Sequence, residues 1–147
     1  IYTYAKRTAP FAAYAAFDAP SGETCAVRRE RSNTPLQALT LLNDPMFLEM
    51  AESLGCRVYQ EGTTDQARAE RLGLLAWSRK PTLGEVNAIL AFVANQKERI
   101  DSGELVPKLQ SEIAEQMHKQ SGNSNSLLSW IIVARVVLNT DEAIAKP

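Results

Sequence analysis

The chain has 147 residues, enough for one hydrophobic core and short for two. Its 16 basic and 17 acidic residues leave a net charge of −1, which excludes a globally basic nucleic-acid binder. Two cysteines and one histidine are too few for a multi-ligand Cys/His metal site, so no metal is expected. No apolar run approaches the roughly 20 residues of a membrane span.

Residues 1–33 read as a loop-rich cap. Pro10, Pro20 and the Ser21-Gly22 pair interrupt regular structure, and Phe11 to Phe17 is the stretch within it that could form a short helix. Long irregular segments in compact domains often carry function or cover another surface. Cys25 and Cys56 could form one disulfide or remain two thiols, because sequence spacing does not set the geometry.

Residues 34–147 read as a helical bundle. Thr34 suits an N-cap and Pro35 the first helical position, and the pair opens a helix carrying Leu36, Leu39 and Leu42. Asn43-Asp44-Pro45 closes it and starts a second helix, whose apolar stripe runs from Met46 through Leu54 to Val58. Gly62 ends that helix, and Thr64-Asp65 caps a third that stops at Lys80-Pro81. Thr82 and Glu85 form a capping-box pattern, followed by Val86, Ile89, Leu90 and Val93 on one helical face. Leu105, Leu109, Ile113 and Met117 give a further stripe at helical spacing, with Pro107 in its first turn.

After a polar linker at residues 121–126, the stretch from Leu127 to Leu138 is apolar on all sides, the pattern of a central buried helix. Arg135 lies inside it, and a buried charge needs a partner, with Asp18 or Glu142 as candidates. Asn139 stands where a C-terminal cap is expected. The chain contains 20 alanines and no sustained strand-type alternation. The expected fold is therefore all-α: a single-domain bundle of about six helices with a long irregular N-terminal loop. It is expected to be a piece of a longer multidomain protein.

Chemistry-bearing motifs are sparse. There is no nucleophile elbow, phosphate-binding glycine loop or zinc-protease pattern. His118, on a polar helix, is expected to be an exposed helix-end residue. Trp130 reads as core, and Trp77 could either stack a sugar ring or pack internally. The candidate binding residues cluster where the cap meets the first bundle helix. Arg28, Arg29 and Arg31 run into Asn33 and the helix start at Thr34, with Gln37 and Asp18 as further members. Arginines beside exposed helical N–H groups can hold sulfate, phosphate or carboxylate. The competing reading pairs these arginines with acidic residues and pins the loop to the bundle. Residues 1–35 carry five basic and three acidic side chains, so a weakly basic cap sits on an acidic body.

Three blocks carry a family resemblance. They are Lys6-Arg7 with Phe17-Asp18-Ala19-Pro20; Arg28-Arg29-Glu30-Arg31-Ser32-Asn33-Thr34-Pro35 through Asn43-Asp44-Pro45; and Trp130 to Asn139. In this order the chain resembles the C-terminal domain of unknown function of planctomycete-type cytochrome c domain-containing proteins. Arg79-Lys80-Pro81-Thr82 with Glu85 also resembles that family's linker into a helix. Where the family usually continues after the Leu-Asn pair with Asn-Glu-Phe, this chain has Asp141-Glu142-Ala143 and lacks the aromatic anchor.

The resemblance implies an exported parent, in the periplasm or cell envelope, with haem c elsewhere on the polypeptide. No CxxCH is present here, so no cofactor is expected in this part. It implies no catalytic residues. The expected role is a non-catalytic structural or interaction module whose partner is an upstream domain of the same polypeptide or another protein. The alternative is an anion-binding, carbohydrate-binding or enzymatic domain built on Arg28 to Arg31.

Overall fold

The computed structural model describes residues 11–20, 27, 32, 34–122 and 124–144. Among them are eight helices and no strand. Six have nine residues or more: α2 (Pro35–Asn43), α3 (Pro45–Glu61), α4 (Asp65–Trp77), α5 (Leu83–Asp101), α6 (Glu112–Gln120) and α7 (Ser124–Leu138). Two short ones flank them, α1 (Ala12–Ala16) and α8 (Asp141–Ile144). The fold is the all-α bundle that the sequence implies.

The starts of α2 to α5 follow from local chemistry. The Thr34 hydroxyl accepts the Gln37 N–H while the Gln37 amide oxygen accepts the Thr34 N–H, a reciprocal box with Pro35 just inside it. Asp44 does two jobs: its backbone N–H closes α2 on Thr40, and its carboxylate accepts the Met46 N–H at 2.9 Å. Thr64 caps α4 through Ala67, and Thr82 with Glu85 boxes the start of α5. At the end of α4 the chain turns through Ser78 at φ 60°, left-handed backbone that redirects it towards Pro81.

The stripe over Leu105 to Met117 is not one helix. Residues 105–111 are non-helical, and α6 starts only at Glu112, capped by Ser111. The reason lies on α3. The buried Glu52 carboxylate accepts the backbone N–H groups of Gln110 at 2.8 Å and Ser111 at 2.7 Å. This holds the incoming chain against the bundle, while Leu109 and Met117 still pack on the core. The polar linker is also shorter than expected: α7 begins at Ser124, and Ser126 and Ser129 are buried within it.

The other elements gather around α7. Nine of its fifteen residues are buried, which makes it the central helix. Trp130, Val133 and Val137 meet Val58 of α3, Leu72 of α4 and Val86, Ile89 and Val93 of α5 in the main core. On the other side Leu127 and Ile131 meet Cys56 and Ala114. The α3–α7 approach is close at Gly55, where an added Cβ would lie 2.7 Å from the Ile131 Cα atom.

That contact and an open glycine give a paired test. Gly55→Ala is expected to destabilise the chain by about 1–3 kcal/mol, because backbone rather than a flexible side chain must give way. Gly84→Ala, in the first turn of α5 with nothing within 4 Å, is expected to be neutral or stabilising by up to about 1 kcal/mol. Urea denaturation of both variants checks the pair; equal effects would refute the tight crossing.

Candidate functional site

The junction of cap and bundle is built on Asp18. This residue follows α1 in left-handed backbone at φ 55°, which turns the chain back beside α2. One carboxylate oxygen accepts the Ser32 N–H at 2.7 Å, the Ser32 hydroxyl at 2.6 Å and the Gln37 side-chain amide at 3.4 Å. The same Gln37 amide donates to the Ser32 hydroxyl at 3.0 Å, and Gln37 itself is only 1% exposed. Phe17 adds an apolar pin, with its ring 5.6 Å from that of Phe47 on α3.

Three of the candidate binding residues, Asp18, Thr34 and Gln37, are therefore brought together. Gln37 is buried and bonds to both of the others and to Ser32, while Asp18 and Thr34 are half-buried. The Thr34 helix start is closed by its own capping box, and Pro35 offers no N–H there. Arg28, Arg29, Arg31 and Asn33 lie outside the described residues, as does Cys25. Cys56 is free and buried on α3, where burial, and secondarily the nearby Glu52 charge, push its thiol pKa up and keep it a poor nucleophile.

Arg135 has a different partner from the one expected. Its Nη2 donates to the backbone carbonyl of Leu42, at the end of α2, and it pairs with no carboxylate among the described residues. Asp18 is engaged at the cap, and Glu142 is taken by Arg79. The Arg79 guanidinium grips two carboxylates, each through two hydrogen bonds: Glu85 at 2.7 and 2.9 Å, and Glu142 at 2.6 and 2.7 Å. It also lies 5.3 Å from the centre of the Trp77 ring, whose indole N–H donates to Thr140 at 2.9 Å. Trp77 thus packs internally between the end of α4 and the chain leading into α8.

These bonds favour the charged forms. Hydrogen bonding from Arg79, and secondarily from the Thr82 backbone, lowers the Glu85 pKa to about 2. Arg79 likewise lowers Glu142, and the two carboxylates raise Arg79 in return.

His118 is half-buried rather than exposed, in the last turn of α6. Asn139 directly follows α7 and its backbone N–H bonds to the Val136 carbonyl of the last turn, while its buried Oδ1 has no partner. No group of three or more His, Cys, Asp or Glu residues among the described ones could hold a metal ion.

The other prominent feature of this end is apolar. Leu36 and Leu39 lie three apart on α2 and are each 60% exposed; Met46 and Met50 lie four apart on α3 and are 49% and 53% exposed. Phe11 and Tyr14 on the α1 side stack edge to face at 5.7 Å and are also exposed.

Sequence reading did not single out Glu52 or the double grip of Arg79. Glu52 had a signal: Leu48, Glu52 and Cys56 are spaced by four on α3, so a carboxylate occupied the buried face.

The described residues form an all-α domain in which Asp18, Ser32 and Gln37 are joined by a polar network and several apolar side chains of α2 and α3 stand exposed. The model of one protein family, PSD1, described as a protein of unknown function (DUF1553), matches residues 1–93. This chain belongs to that family. The match takes in the cap, α2 to α4 and the first half of α5. No curated protein and no solved structure matches the chain.

Two outcomes follow from these bonds. Glu52→Gln keeps one acceptor oxygen but adds an NH2 facing a backbone N–H, and is expected to cost about 1–3 kcal/mol. Faster hydrogen exchange at Gln110 and Ser111 would report the released segment, and unchanged protection would refute the role of Glu52. For the Arg79 grip, both carboxylates have lowered pKa values when folded. Their contribution is present above the ordinary glutamate range and is lost as pH falls from about 4.5 towards about 2. Thermal melts of Arg79→Gln should lie below the parent above about pH 4.5 and converge with it as pH falls towards about 2, and parallel curves would refute the grip.

Proposed function

We propose that the chain is a non-catalytic helical interaction module of an exported, cytochrome c-associated multidomain protein, with haem c carried elsewhere on that polypeptide. It docks an upstream domain of the same polypeptide or a partner protein through the outer face of α1, α2 and the start of α3. One observation carries this reading: Leu36, Leu39, Met46 and Met50 stand largely exposed, on an α2 that buries only Gln37 and an α3 that buries Ala51, Cys56 and Val58. Clustered exposed apolar side chains on one end of a domain mark an interaction surface, and methionines adapt readily to a partner's shape. The exported, haem-associated setting is supported by the sequence blocks that run from Lys6 to Pro45 and from Trp130 to Asn139.

The anion- or carbohydrate-binding alternative rests on Arg28, Arg29, Arg31 and Asn33, which lie outside the described residues. Asp18 and Gln37 are occupied by each other and by Ser32, which fits a loop fastened to the bundle.

The test is a Leu36→Asp/Leu39→Asp variant, both sites being exposed. Its circular dichroism should match that of the parent, while titration calorimetry against the remainder of the polypeptide supplied in trans should show binding weakened by about tenfold or more. Unchanged affinity in the folded variant would overturn the docking face.

A further inference from the structure

A cavity of about 380 Å³ opens between α3, α5, α7 and the non-helical segment at residues 105–110. Its size falls in the range of small-molecule sites, and its make-up does too: mostly apolar walls with a few polar groups. Leu48, Leu105 and Ile132 supply apolar surface. The charged side chains that line it are Arg99, Lys108, Arg135 and Glu52, three cations against one carboxylate. Both Glu52 oxygens already accept backbone N–H groups, so the one acid is occupied by the fold. Arg99 is bonded to Glu104, which does not line the cavity. Lys108 makes no ion pair among the described residues.

Arg135 lines the same cavity and pairs with no carboxylate among the described residues. Its Nη2 is used by the Leu42 carbonyl, but its Nε is buried and has no hydrogen-bond partner. The excess positive charge of the lining favours an anion, and the apolar walls favour a hydrocarbon body attached to it. A carboxylate answers both demands, since its two oxygens match guanidinium geometry.

We propose that this cavity binds a monocarboxylate with an apolar body, an aryl or medium-chain aliphatic acid, with the carboxylate at Arg135 and Lys108. The Glu52 bonds to Gln110 and Ser111 hold the outer wall in place. The site is separate from the docking face on α1 to α3 and does not depend on it.

Octanoate is the probe, with octanamide and acetate as controls that remove in turn the charge and the hydrocarbon. Calorimetry on the intact chain should show octanoate binding in a 1:1 ratio, with each control at least about tenfold weaker. Amide chemical shifts should move at Leu48, Leu105 and Ile132. Lys108→Gln, an exposed substitution, and Arg135→Lys should each weaken octanoate by severalfold. Lys108→Gln keeps the test sound if the Arg135 variant fails to fold. Octanamide binding as tightly as octanoate, octanoate failing to bind, or shifts confined to other surfaces would each overturn the proposal.

Discussion

The approach of α3 to α7 at Gly55 and Ile131 is the constraint on which the arrangement rests. Without a Cβ at that point the two backbones come close enough for side chains on either side of the contact to interlock. On one side Val58 reaches Trp130, Val133 and the faces of α4 and α5. On the other Cys56 reaches Leu127, Ile131 and α6. Two core clusters are thus organised by one crossing. The close contact also places Glu52, one turn before Cys56, where its carboxylate can collect the chain entering α6.

Polar groups then fasten the periphery. Asp18 ties the turn after α1 to Ser32 and Gln37, Glu52 holds the segment before α6, and Arg79 holds α8 to the start of α5. Each uses one charged side chain to satisfy several donors or acceptors. Such bonds add modest net stability but are costly to break one-sidedly, because the partner is left unpaired. They therefore specify where the loops and short helices lie more than they drive the collapse, which belongs to the apolar residues of α3, α5 and α7.

What could be read from the sequence divides along the same line. The starts at Thr34, Asp44, Thr64 and Thr82 were legible because capping involves residues two or three positions apart. The central place of α7 was legible because a helix that is apolar on every side keeps those sides from water only when neighbours surround it. The segment before α6 misled because Leu105, Leu109 and Ile113 keep helical spacing, while the interaction that holds the first part outside a helix comes from Glu52, 58 positions away. Arg135 and Glu142 share a helical spacing, yet Glu142 answers to Arg79, 63 positions earlier. The candidate site was legible only in part. Residue type and adjacency brought out Asp18, Thr34 and Gln37, but the bonds from Asp18 to Ser32 and Gln37 depend on the left-handed turn at Asp18.

The central helix has a consequence for the order of events in the cell. It is the seventh of the eight helices among the described residues, so ribosomes release α3, α4 and α5 well before the element that unites them. At ordinary translation speeds that interval lasts several seconds. Throughout it Val58, Leu72 and Ile89 have no Trp130 or Val133 to meet. The nascent chain must wait with these faces wet or shielded by a chaperone. Completion of folding is thereby tied to the arrival of residues 124–138, and the domain matures after most of its chain has been made.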